Sequence, residues 1–142
     1  MLIVKTYLDR STVHGIGLFA DQFIAKDEIV WEFNPHVDLV YDEKSWLMLL
    51  ENISPASLAT LRRLSFKEND SFFLCVDNAQ FMNHSPHWAN VYQVEGKNIM
   101  RAKKDIHRGE ELLCNYFEYS DADDYHSQVL KKKVPNIEKT IT

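Results

Sequence analysis

A single, mainly β domain with a small helical insert is the fold that this sequence predicts. Three observations lead there. Short runs of β-branched and aromatic residues recur along the chain, each broken by turn-forming residues. Apolar residues at helical spacing are confined to the middle of the chain. The alternating strand–helix pattern of a doubly wound sheet is missing. The 142 residues suit one domain. With 45% hydrophobic and 26% charged residues, the composition is that of an ordinary folded soluble protein.

In chain order, Leu2 to Leu8 reads as a first strand, with Ile3, Val4 and Tyr7 β-prone. Ser11 to Gly17 is rich in turn formers and carries two glycines one residue apart. Ile29 to Phe33 is a second strand, stopped by Asn34-Pro35, and His36 to Tyr41 is a further short one. Asp42 to Glu51 reads as a helix capped by Asp42, with Trp46, Leu49 and Leu50 on one face. Ser54-Pro55 opens a second helix through Leu58, Leu61, Arg62 and Leu64. Phe72 to Val76 is a strand, and Ala79 to Met82 a single helical turn. Ala89 to Glu95 and Ile99 to Ala102 form a hairpin, with Gly96 supplying positive φ at the turn. Leu112 to Tyr116 is the last strand, followed by a short helix at about 123–132 and a loose end after Pro135. There are no internal repeats.

The net charge of −5 argues against a nucleic-acid binder, which would normally carry a basic face for phosphates. It is compatible with a Lys/Arg-rich partner. No apolar run reaches the length that crosses a bilayer. The start, MLIVKTYLDR, lacks the three-part pattern of a signal peptide, so a cytoplasmic protein is expected, with delivery into a host left open. Cys75 and Cys114 read as buried, reduced thiols.

Three segments carry polar groups where chemistry could occur: His14 to Ala20, Phe81 to Ser85, and Gly109 to Tyr116. Taken singly they are ambiguous. The Gly15-Ile16-Gly17 turn brings bare backbone near a ligand or simply reverses the chain, and it lacks the third glycine of a dinucleotide fingerprint. His84 reads as a hydrogen-bonded core residue or as a ligand. With His87, Cys75 and Cys114 it can be drawn as a zinc site, though without the close cysteine pairs such sites use. Tyr116 reads as core, with its hydroxyl tied to a neighbour. Cys114 with a histidine sketches a hydrolase, but nothing indicates a depressed thiol pKa.

Together, in order and spacing, the segments resemble the SET-domain signature. That signature has a Gly-x-Gly-(Leu/Ile)-Phe-Ala segment after the first strand, then Asn-His-Ser, then Arg-Asp-Ile-x-x-Gly-Glu-Glu-Leu-x-x-x-Tyr. Here Lys104 to Leu112 matches the last part almost letter for letter, and Asp77 to Phe81 matches the approach to Asn83-His84-Ser85. The resemblance covers about residues 1–120, which would form the SET domain. Residues 121–142 would be a segment packing on it. Trp31 to Pro35 and Leu113 to Tyr116 look closest to compact, stand-alone, bacterial-type SET proteins.

The resemblance implies a β-clip-like fold of short curved sheets around a pseudoknot. It implies a protein-lysine methyltransferase that uses S-adenosylmethionine, leaves S-adenosylhomocysteine and needs no metal. On it, His14, Gly15, Ile16 and Gly17 border the cofactor's amino-acid end. The Asn83 side chain binds that end, and the His84 backbone meets the adenine. Tyr116 matches the catalytic tyrosine and also borders the cofactor. Asn90 matches the Asn that ends the Asn-His-Ser block, or else caps a loop. Cys114 falls where the family influences methyl number, and a small residue there suggests room for more than one methyl unless another side chain fills the space. Phe117 and Tyr119 would line the substrate channel or face the adenine, in an order the sequence leaves open.

Many histone-directed members place three zinc-binding cysteines after the tyrosine. This chain has none after Cys114. Residues 117–142 would then close the channel by packing, with Tyr125 and the predicted helix, or a partner would complete it. The expected partner is a protein with an accessible lysine in a basic segment, not nucleic acid and not a membrane, and a homodimer is left open. The alternative is a catalytically inactive SET-like module that binds basic peptides.

Overall fold

The computed structural model describes residues 1–124. It is built of small sheets. Strands β1 (Thr6–Arg10) and β2 (Ile16–Ala20) form an antiparallel pair. Strands β3 (Ile29–Glu32), β9 (Ile99–Ala102) and β8 (Val91–Gln93) form a second sheet, in the order β3-β9-β8. A third sheet takes β4 (Asp38–Tyr41), β6 (Ser71–Cys75) and β5 (Ser65–Glu68), in the order β4-β6-β5. Between β4 and β5 lie helices α1 (Glu43–Glu51) and α2 (Pro55–Leu64). Finally β7 (Asn83–His84) pairs in parallel with β10 (Leu113–Cys114). The predicted mainly β fold with a helical insert is the one observed.

The caps explain the insert. The Asp42 carboxylate accepts from the Ser45 N–H, and the Ser54 hydroxyl from the Ser57 N–H, each satisfying a donor the first turn leaves open. Trp46 fixes α1 to the third sheet by stacking on Phe72 at 5.1 Å. The hairpin at Gly96 forms as expected, with φ +70°.

Two elements differ from the sequence reading. The first strand begins at Thr6, because the chain before it runs along β3 instead. The Ile3 N–H donates to the Val30 carbonyl, and the Glu32 N–H to the Met1 carbonyl. The second difference is β5, which sequence periodicity did not separate from the end of α2. It forms a hairpin with β6 through Asn69 and Asp70, at φ +49° and +60°. Asparagine and aspartate are the side chains that tolerate this left-handed turn best.

The core lies between the first two sheets and the β7–β10 pair. Leu18, Ile24, Val30, Ala102, Ile106 and Leu112 are fully buried there. Asn90 locks the crossing. Its Nδ2 donates to the Glu111 carbonyl and its Oδ1 accepts from the Leu113 N–H, both at 2.8 Å, while its own N–H donates to the Leu113 carbonyl. This buried side chain is a clamp on the last strand. The predicted helix at 123–132 lies almost wholly outside the described residues, as does Tyr125. Residues 123 and 124 themselves sit in a turn. Among the described residues no helix is long and apolar enough to cross a membrane.

Candidate active site

The β7–β10 pair sets the site because it brings three distant segments together. Asn83 is buried at the start of β7. Its Nδ2 donates to the His14 carbonyl at 2.8 Å, to the Ile16 carbonyl at 3.3 Å and to Glu111 Oε1 at 3.1 Å. The expected neighbours His14, Ile16 and Asn83 therefore meet.

The two glycines do different jobs. Gly15 sits at φ +48°, a conformation that favours glycine, and a Cβ there would meet nothing within 4 Å. Gly17 has ordinary φ but no room: a Cβ would come 2.1 Å from Glu111 Oε1. Its bare Cα lets the Glu111 carboxylate reach across β2. Ser11 completes this base. Its hydroxyl donates to Glu111 Oε2 at 3.0 Å and accepts from the Val13 and His14 N–H groups. Sequence reasoning passed over both Ser11 and Glu111. The available signal was Gly17 itself, the second glycine of a close pair, where a missing side chain leaves space for another group.

Tyr116 was expected at the end of a strand. Instead β10 stops at Cys114, and Tyr116 opens a short 3₁₀ turn, Tyr116–Glu118, capped by Asn115. The Asn115 side chain accepts from the Phe117 N–H, which draws the chain out of the ladder. Two bonds then aim the ring. The Tyr116 N–H donates to His84 Nδ1 at 2.9 Å, and the Tyr116 hydroxyl donates to the Met82 carbonyl at 2.7 Å. Burial pushes the phenol well above its ordinary pKa, so the hydroxyl stays protonated. Burial lowers the His84 pKa, which keeps the imidazole neutral and its Nδ1 an acceptor.

The Tyr116 ring borders a cavity of about 70 Å³, together with Trp31, Phe66, Met82, Met100 and Tyr119. Its exposed wall is largely apolar, with Arg63 and Glu68 as the charged groups in the lining. Tyr119 lines this cavity edge-on to Phe66 at 5.2 Å, and its hydroxyl lies 3.5 Å from the Cys114 sulfur. The space left by the small residue at position 114 is thus taken by the Tyr119 phenol. Phe117 lies elsewhere: it is exposed and packs edge-on against His84 at 4.8 Å. Trp31 is a cavity residue that the sequence did not single out.

The thiols of Cys75 and Cys114 are both free and buried, and burial pushes each up to about 12. A thiolate nucleophile is disfavoured accordingly. The sketched zinc set is not assembled, since His87 is exposed and His84 Nδ1 is committed to Tyr116. Among the described residues no three His, Cys, Asp or Glu side chains group as a metal site would need.

A set of small sheets, a β7–β10 crossing and a tyrosine aimed from it define a class of domain. The chain belongs to the SET-domain family, whose sequence signature matches residues 15–117. Among curated proteins no sequence match was found. Solved structures agree on the fold. A Plasmodium falciparum protein described as a histone methyltransferase is 21% identical at a TM-score of 0.53, over 80% of this chain and 93% of its own. A chain of Polycomb Repressive Complex 2 bound to S-adenosylmethionine is 18% identical at a TM-score of 0.62, over 91% of this chain. A humanized mutant of that complex from Chaetomium thermophilum, bound to the inhibitor GSK126, is 20% identical at 0.58, over 83% of this chain. This chain spans only 17% and 16% of those two polycomb chains.

Proposed function

We propose that this chain transfers methyl groups from S-adenosylmethionine to the ε-amine of a lysine in a protein substrate. The observation that carries the reading is the placement of Tyr116. Its hydroxyl is fixed by the Met82 carbonyl beside an aromatic cavity, one residue from the Asn83 that gathers the His14–Gly17 loop.

The residues on the loop side fit the amino-acid end of the methyl donor. The His14 and Ile16 carbonyls and the Glu111 carboxylate are acceptors suited to an ammonium, and the open space beside Gly15 lets a ligand approach the backbone. His84 and Phe117 offer ring surfaces nearby for a heterocycle. When bound, the donor supplies an electron-poor methyl on a good leaving group, so no covalent enzyme intermediate is required.

The cavity then has two tasks. A lysine amine must lose its proton before it can attack, and free lysine titrates near 10.4. The largely apolar walls disfavour the ammonium form. Tyr116, held as the phenol, is no base. With its O–H given to Met82, the oxygen turns lone pairs toward the reacting groups and orients them. Alignment of this kind contributes roughly 7–11 kcal/mol in favourable cases. The rings of Trp31, Phe66 and Tyr119 suit the alkyl stem and the cationic product.

The test is incubation with labelled S-adenosylmethionine and lysine-rich protein, with Tyr116→Phe in parallel. Label on lysine that is lost in the variant is the expected result. Failure to bind the donor would overturn the reading, and binding without transfer would point to a module that recognises basic peptides. The substrate is expected to present its lysine in a basic segment, in keeping with the net charge of −5.

A further inference from the structure

The cavity has two walls that are distant in sequence. Ser65, Phe66 and Glu68 come from β5, while Tyr116, Tyr119 and Ser120 come from the turn after β10. Something must hold the turn against the strand. The described contacts place that task on the next four residues.

The Asp121 carboxylate accepts from two successive backbone donors: Asn69 N–H at 2.9 Å and Asp70 N–H at 3.0 Å. Both donors belong to the left-handed hairpin turn. Consecutive N–H groups in such a turn converge into a concave anion site. The Asp121 N–H donates to the Lys67 carbonyl at 2.7 Å, and buried Asp124 accepts from the Lys67 N–H at 2.7 Å. Asp123 adds an ion pair to Lys67 Nζ at 2.7 Å. The outer edge of β5 is thereby bonded on both the N–H and the C=O of Lys67.

The geometry points to residues 121–124 as an acidic latch, with Asp121 as the positioning residue that fixes the width of the aromatic cavity. The latch does not touch the cofactor side, which is fixed by Glu111, Ser11 and Asn83. It holds the turn through carboxylates that directly follow it in the chain. The nature of the cavity's occupant rests on the lysine-methyltransfer reading, whereas the latch does not.

Asp121→Asn is the sharp variant, because both carboxylate oxygens are in use. The amide would set an NH₂ against a backbone N–H, and Asp121→Glu would restore two acceptors. Hydrogen exchange of the 116–120 amides and thiol labelling of Cys114 read the latch without any activity. Asp121→Asn is expected to speed both by roughly tenfold or more, the loss of a hydrogen bond to a charged group. Exchange of the β1–β2 amides should stay unchanged, and Asp121→Glu should recover most of the protection. In the transfer assay, KM for the acceptor should rise by about the same factor, while the Kd for S-adenosylmethionine stays within about twofold. Unchanged exchange at 116–120 overturns the proposal, as does equal quickening in β1–β2. So does an acceptor KM that stays put while the turn loosens. If the wild-type protein methylates no lysine, the function reading fails by itself, and exchange and labelling still decide the latch.

Discussion

Replacing Gly17 by alanine tests the base of the donor site with one methyl group. The new Cβ would lie 2.1 Å from Glu111 Oε1, 2.9 Å from its Cδ and 3.1 Å from Ser11 Cβ. Ordinary contact needs more than an ångström of added separation, so the Glu111 carboxylate must swing away. Its bond to Asn83 Nδ2 starts at 3.1 Å and would stretch beyond hydrogen-bond range. The bond from Ser11, at 3.0 Å, is strained with it. Loss of a hydrogen bond to a charged group costs roughly 1.5–3 kcal/mol, so a destabilisation of about 2–3 kcal/mol is expected. Asn83 would also lose its aim on the His14–Gly17 loop, and S-adenosylmethionine affinity should drop about tenfold, the equivalent of one such bond. Urea unfolding and isothermal titration calorimetry measure the two effects. The cycle with Glu111→Ala is decisive, because Gly17→Ala should then cost under about 0.5 kcal/mol. An undiminished penalty in that background, or none in the wild type, would refute the account of Gly17 as space for a carboxylate.

Other expectations follow from the same contacts. Asn90→Ala leaves the Glu111 carbonyl and the Leu113 N–H without partners in the core, and should cost about 2–6 kcal/mol in urea unfolding. Trp46→Ala should cost about 3–5 kcal/mol, since it empties the contact of α1 with Phe72. Neither thiol should react with a disulfide reagent at pH 8 in the folded protein, because both are buried and pushed up to about 12; rapid reaction of either would contradict this. The His84 pKa is lowered on folding, so its contribution to stability is whole above about pH 6.5 and is lost as the pH falls through the folded value. Unfolding midpoints should therefore decline between pH 7 and pH 5 more steeply in the wild type than in His84→Gln, and equal slopes would count against it.

Much of this was legible in the sequence wherever a residue acts on its near neighbours. Asp42 and Ser54 cap helices three residues away, and Gly96 turns a hairpin between adjacent strands. The site segments were legible because their order and spacing form a pattern. What escaped depends on partners far along the chain. Glu111 has a role only because Ser11 and Gly17 lie beneath it, 100 residues from Ser11 in sequence. Strand β5 escaped because Ser-Phe-Lys-Glu is too short to show a period and directly follows a helix; Asn69-Asp70 was the clue. Tyr116 looked like strand because Leu112 to Cys114 is apolar, yet the Asn115 side chain ends the ladder. The sequence reading starts a helix at about residue 123, whereas the Asp121, Asp123 and Asp124 carboxylates bond to β5 and its turn.

The parallel β7–β10 pairing is only two residues long, Leu113 on Asn83 and Cys114 on His84. It nevertheless carries the donor-side asparagine on one strand and leads straight into the tyrosine on the other. A contact this short has little strength of its own, and it closes a loop of some thirty residues, so it forms late, once the surrounding sheets hold both ends in place. Chemical competence should therefore return during refolding with the last kinetic phase and not with the bulk of the β structure. A chain truncated before Leu113 would keep several strands and lose the tyrosine that completes the site.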